Sequence, residues 1–133
     1  MNKICYFNKN INIMAQNTTN EEKSATKLCE EKYPEMTGEF KKILKEQYEL
    51  FCRKQLNYGP DNISVGTKCE TQEEQKLSLT GLWFRMNDKI NRLKQLIIFN
   101  KPDLVSESIQ DSFSDLSVYG IIAQIVSRGK WGK

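Results

Sequence analysis

Apolar residues recur at three- and four-residue steps along three stretches of this chain, with polar residues between them. Phe40, Leu44, Tyr48 and Phe51 fall at steps of four, four and three, and Ile43 and Cys52 widen the stripe. That spacing predicts one face of a helix. The helix is expected to begin at a cap on Thr37 and to run to about Asn57. Tyr58-Gly59-Pro60 then ends it, because Gly59 suits a left-handed terminal position and Pro60 cannot continue a helix. Leu82, Met86, Ile90, Leu93 and Ile97 predict a second helix from Leu77 to about Phe99, broken by Asn100-Lys101-Pro102. Leu104, Val105, Ile109, Phe113, Leu116, Ile121, Ile122, Ile125 and Val126 predict a third over 104–127, capped by Asp103 or Ser106. Gly120 in its middle is expected to let it pack closely against the second. A shorter helix over 20–32 is stopped by Pro34. No segment alternates convincingly as a strand. The expected fold is all-α: a single-domain bundle of three main helices plus one shorter N-terminal helix. A flexible tail over 1–19 precedes a domain over 20–133.

The polar positions are patterned too. Arg85, Asp88, Lys89 and Arg92 share a mainly basic stripe on the second helix, and Glu107, Asp111 and Asp115 stand at i, i+4 and i+8 on the third. Such stripes either pair with each other or hold phosphate and a metal ion between them. Arginine forks match phosphate oxygens. Oxygen ligands on one helical face are a start for Mg²⁺, with Asp88, Glu107, Asp111 and Asp115 as candidates. Glu46 and Glu49 could complete a two-helix carboxylate cluster. Asn87 and Asn91 could read a base edge. The loop over 58–76 opens with YGPDNISVG, small turn-forming residues whose backbone donors could wrap a phosphate or base. It is also an ordinary connecting loop by composition, and it is no Walker motif. Tyr58 and Tyr119 flank these segments and could stack on a base or lie in the core. The ending SRGKWGK is a basic aromatic tail that suits nucleic acid or bulk solvent.

Composition narrows the classes. The 133 residues hold one modest core, and 38% hydrophobic with 28% charged residues suit a globular domain. A net charge of +3 does not announce a nucleic-acid binder. No apolar run is long enough for a bilayer, and the N-terminus lacks a signal-peptide core, so the expected location is cytoplasmic, with no membrane partner. Met14 opens a stretch with the look of a natural start. The four cysteines form no CxxC and read as free thiols. With no histidine in the chain, a general base must be a carboxylate, a lysine or metal-bound water.

YGPDNISVG, then GLWFRMNDKINRLKQL, then ESIQDSFSDLSVYGIIAQIVSRGKW, in that order and spacing, resemble the nucleotide modification associated domain 1 family of bacteriophages, prophages and bacteria. The likeness runs from about residue 40 to the end. It implies motif positions at Tyr58, Gly59, Arg85, Asp88, Lys89, Arg92, Glu107, Asp111, Asp115 and Tyr119. The function it implies is binding of, or action on, a nucleotide or modified nucleotide in a DNA-modification setting. Phosphate would lie on Arg85, Lys89 and Arg92, and the loop from Tyr58 would cover the base. A fainter likeness is to the MazG-like all-α nucleoside triphosphate pyrophosphohydrolases, in which Mg²⁺ sits over a triphosphate. On that alternative Asp111 and Asp115 are catalytic, although Ser112 stands where that family has a glutamate. A non-catalytic DNA-binding or protein-interaction domain is the remaining alternative, and each reading admits a homo-oligomer.

Overall fold

The computed structural model describes residues 25–133. The expected tail over 1–19, the first residues of the helix over 20–32, and Cys5 lie outside the described residues. The described chain is all-α, with no strand. Its helices are α1 (25–32), α2 (Pro34–Tyr58), α3 (Asp61–Ser64), α4 (Gln72–Leu93) and α5 (Ile109–Ser127), and a π-helical turn, Lys94–Ile98, extends α4. The chain divides into two compact units, 1–45 and 46–133, with the division inside α2.

In the first unit Pro34 does not end a helix so much as bend one. Its missing N–H is harmless at the first position of α2. Helical bonds run on either side of it, from Tyr33 N–H to the Cys29 carbonyl at 2.8 Å and from Thr37 N–H to the Tyr33 carbonyl at 3.0 Å. Thr37 is therefore inside the helix rather than its cap, and its hydroxyl donates to the Tyr33 carbonyl at 2.9 Å. Lys41 forms an ion pair with Glu30. Eleven residues of straight helix would set their backbones about 16 Å apart, beyond the reach of the two side chains. The ion pair thus requires α1 to lean towards α2 at the proline.

The second unit holds the core. Ile63, Cys69, Leu82, Ile122, Val126 and Trp131 are buried, and Phe51, Met86, Val118 and Tyr119 pack around them. α4 begins five residues before the expected start. Thr71 and Glu74 form a capping box: the Thr71 hydroxyl accepts from Glu74 N–H at 3.2 Å, and the Glu74 carboxylate accepts from Thr71 N–H at 3.3 Å. The Thr-x-x-Glu pattern announces this start.

α5 begins five residues later than expected. Asp103 accepts from Val105 N–H at 3.1 Å, a local turn that competes with helix, and Ser106 adopts a positive φ of 59°. Ser108 is the actual cap, accepting from Gln110 N–H at 3.0 Å. Leu104 and Val105 are consequently 87% and 73% exposed instead of core. Two further expectations are corrected. A Cβ at Gly120 would meet nothing within 4 Å, so no close helix approach depends on that glycine. Trp131 is core rather than a stacking platform: it is 5% exposed, donates to the Pro60 carbonyl at 2.9 Å and meets Phe51 edge-on.

Candidate functional site

The basic stripe on α4 splits into two environments. At its C-terminal end, Lys89 Nζ lies 2.8 Å from Glu107 and 2.9 Å from Asp115. Those contacts, Glu107 first and Asp115 second, hold its ammonium well above the usual lysine range. Arg92 is still more fully engaged. Its guanidinium donates to Ser112 Oγ at 2.7 Å, to Asp103 at 3.0 Å and to the Glu107 carbonyl. Lys89 and Arg92 thus tie the segment before α5 to α4, and the charged groups satisfy one another. Ser112 is fully buried beneath Arg92, which gives the serine at that position a structural role.

Glu107 immediately precedes the cap of α5. The expected i, i+4, i+8 stripe on one helix is therefore not what forms. Glu107 and Asp115 meet at Lys89, while Asp111 is exposed and makes no ion pair with a described residue. Asp88 is exposed and likewise without an ion pair among the described residues. Among the described residues no group of three or more His, Cys, Asp or Glu side chains is gathered for a metal ion. Glu46 and Glu49 are exposed on α2, and Gln47, one of the two residues between them, turns towards α5. It accepts from Ser117 Oγ at 2.9 Å.

Two turns earlier on α4 the stripe behaves differently. Arg85 donates to the Asn62 carbonyl at 2.8 Å, and its guanidinium lies 6.0 Å from the centre of the Tyr119 ring. Both border a cleft of about 180 Å³. Its polar wall includes Gln47, Lys54, Asn62, Ser114 and Asp115, with Tyr58 at the edge and Phe51, Ile63 and Ile122 as apolar lining. Local structure sets this wall. Gly59 takes a φ of +67° and its N–H closes α2 on the Gln55 carbonyl at 2.8 Å. The Pro60 carbonyl accepts from Ile63 N–H, Ser64 N–H and the Trp131 indole, which fixes α3 and hence Asn62.

Of the ten expected positions, Tyr58, Arg85, Asp115 and Tyr119 border the cleft, and Gly59 shapes its edge. Lys89 reaches it only through Asp115. Arg92 and Glu107 belong to the ion-pair brace, and Asp88 and Asp111 face solvent. Gln47, Lys54 and Ser114 were missed, and Asn62 entered only as part of the loop over 58–76. One signal was available: Gln47 and Gln55 interrupt the apolar stripe of α2 at the same four-residue step that carries Phe51.

The wall offers two cationic donors, two phenol rings, amides and hydroxyls. Asp115 supplies a carboxylate whose charge is offset by Lys89. Such a set can hold a planar, hydrogen-bonding ring and an anionic group beside it. No family model matches this chain, and comparisons with curated proteins and with solved structures likewise find no match.

Proposed function

We propose that this domain binds a nucleotide, or a modified nucleotide, in a phage- or prophage-type DNA-modification setting in the cytoplasm. In this reading the base enters the cleft against Tyr119, and Tyr58 covers it from the edge. Gln47, Asn62 and Asp115 meet its polar edge. Lys54 and Arg85 take the phosphate. The observation that carries the proposal is the convergence of Arg85, Tyr119, Tyr58 and Lys54 on one small cleft. At about 180 Å³ the space is below the ~300–1,000 Å³ of sites that engulf a whole ligand. It suits a base, with sugar and phosphate at the open rim. The family resemblance points the same way, since Tyr58, Arg85, Asp115 and Tyr119 are among its motif positions.

Lys89 occupies Asp115 at 2.9 Å, so a Mg²⁺ ion on Asp115 would compete with that ammonium. Catalysis in this reading therefore needs a rearrangement that binding does not. The test is a thermal-shift and calorimetric screen of canonical and modified deoxynucleoside mono- and triphosphates, with and without Mg²⁺, alongside a pyrophosphate-release assay. Saturable binding that Arg85→Ala weakens, without turnover, is the expected result. Turnover lost in Asp115→Asn would replace binding with hydrolysis. Absence of binding by every canonical and modified nucleotide tested would defeat the proposal.

A further inference from the structure

A different feature lies in the first unit. α2 is 25 residues long and has no buried residue. Leu28, Tyr33, Met36, Phe40, Ile43 and Leu44 are each between 43% and 65% exposed. Together they present on the order of 600 Å² of apolar surface, at about 200 Å² for a large side chain. That is the upper end of what a monomer leaves uncovered. With the stems of flanking charged residues it approaches the ~800 Å² per partner of a stable interface. Because α1 leans on α2, the surface is concave: Cys29, Met36, Phe40 and Leu44 line a groove of about 630 Å³.

The charges beside this face say what fits it. At about 100° per residue, Met36 and Leu44 lie on either side of Phe40. Glu35 and Glu39 then border one flank, and Lys41 and Lys45 border the other. Two copies of a helix paired in parallel about a two-fold axis bring the left flank of one against the right flank of the other. Antiparallel pairing brings like flanks together, acid on acid and lysine on lysine. We infer that this face is covered by the same face of a second copy of the chain, with the two α2 helices parallel. The interface sets Phe40 against Phe40 of the partner and Glu39 beside the opposing lysine flank. The contacts these groups make within the chain, Lys41 with Glu30 and Lys42 with Glu39, are exposed and leave both flanks their sign.

The experiment is light scattering of the full chain during gel filtration, across a broad concentration range. The wild type is expected to be a dimer. Phe40→Glu is expected to be a monomer with an unchanged helical circular-dichroism spectrum. Leu56→Glu, an exposed position of the second unit and outside this face, is expected to remain dimeric. Met36→Glu, read in the same way, stands in should Phe40→Glu lose its helical spectrum. Glu39→Lys should raise the dimer dissociation constant about fivefold at low salt. A wild-type chain that is monomeric throughout overturns the inference, as does a Phe40→Glu dimer. Dimerisation that appears only after removal of residues 1–24 assigns the face to that segment and overturns it too. Tighter association in Glu39→Lys overturns the parallel arrangement. Nucleotide binding is read separately, so neither proposal's failure decides the other.

Discussion

Arg85 and Arg92 sit on one helix, seven residues apart, with the same charge and the same fork of donors. Arg92 spends those donors on Asp103, Ser112 and Glu107 and holds down the segment before α5. Arg85 makes one bond to the Asn62 carbonyl, lies over Tyr119 and borders open space. The difference comes from what faces each turn of α4. The irregular run over 99–108 brings acids and carbonyl oxygens to the C-terminal turn. The short helix after Gly59 brings one carbonyl and a cleft to the middle. An arginine becomes a brace or a ligand donor according to how many of its hydrogen bonds the chain itself already fills.

Mutations can break this contrast. The largest effect is expected from Arg92→Leu. It strands buried Ser112, takes the cation from Asp103 and leaves Glu107 with Lys89 alone, so chemical unfolding should register a loss of about 2–3 kcal/mol. Arg85→Ala should do the opposite: unfolding free energy within about 1 kcal/mol of wild type, but nucleotide affinity down roughly tenfold, or about 1.4 kcal/mol. Equal effects of the two substitutions on stability would erase the distinction. Gly120→Ala, on the helix shared by both regions, has room for its methyl group and should stabilise by about 0.5–1 kcal/mol without touching binding. Asp111→Asn should change both stability and affinity least, within about 0.5 kcal/mol, because it belongs to neither region.

The brace also has a pH signature. Contact with Glu107 and Asp115 raises the folded-state pKa of Lys89 above its ordinary 10.5. A raised lysine pKa stabilises the fold fully below the unfolded value and loses that contribution as pH climbs from there through the folded value. The stability gap between wild type and Lys89→Met should therefore be constant at neutral pH and narrow above about pH 10.5. A gap that narrows on acidification towards pH 7 would contradict the sign.

The helices were legible because their periodicity is strong, and α4 and α5 meet much as the stripes of Leu82, Met86, Ile122 and Val126 imply. Burial was less legible. Phe40 and Ile90 keep perfect helical spacing yet are 65% and 53% exposed, because periodicity reports a face and not what covers it. The start of α5 was missed for a physical reason: Asp103 and Ser106 favour local turns, and Arg92 rewards them. Opposite charges on facing helices were readable in the sequence. Which of them were already spent on each other depends on side-chain reach across the helix pair, and a one-dimensional pattern does not carry that. Gln47 and Gln55 show the remedy: amides placed on an otherwise apolar stripe mark a wet patch in a helix interface.

The most direct measurement is a calorimetric titration of deoxynucleoside monophosphates into wild type and Arg85→Ala at low salt. One saturable site per chain is expected in the wild type, with roughly tenfold weaker binding in the variant. Identical isotherms for the two proteins, or no heat beyond dilution in the wild type, would contradict the proposed site.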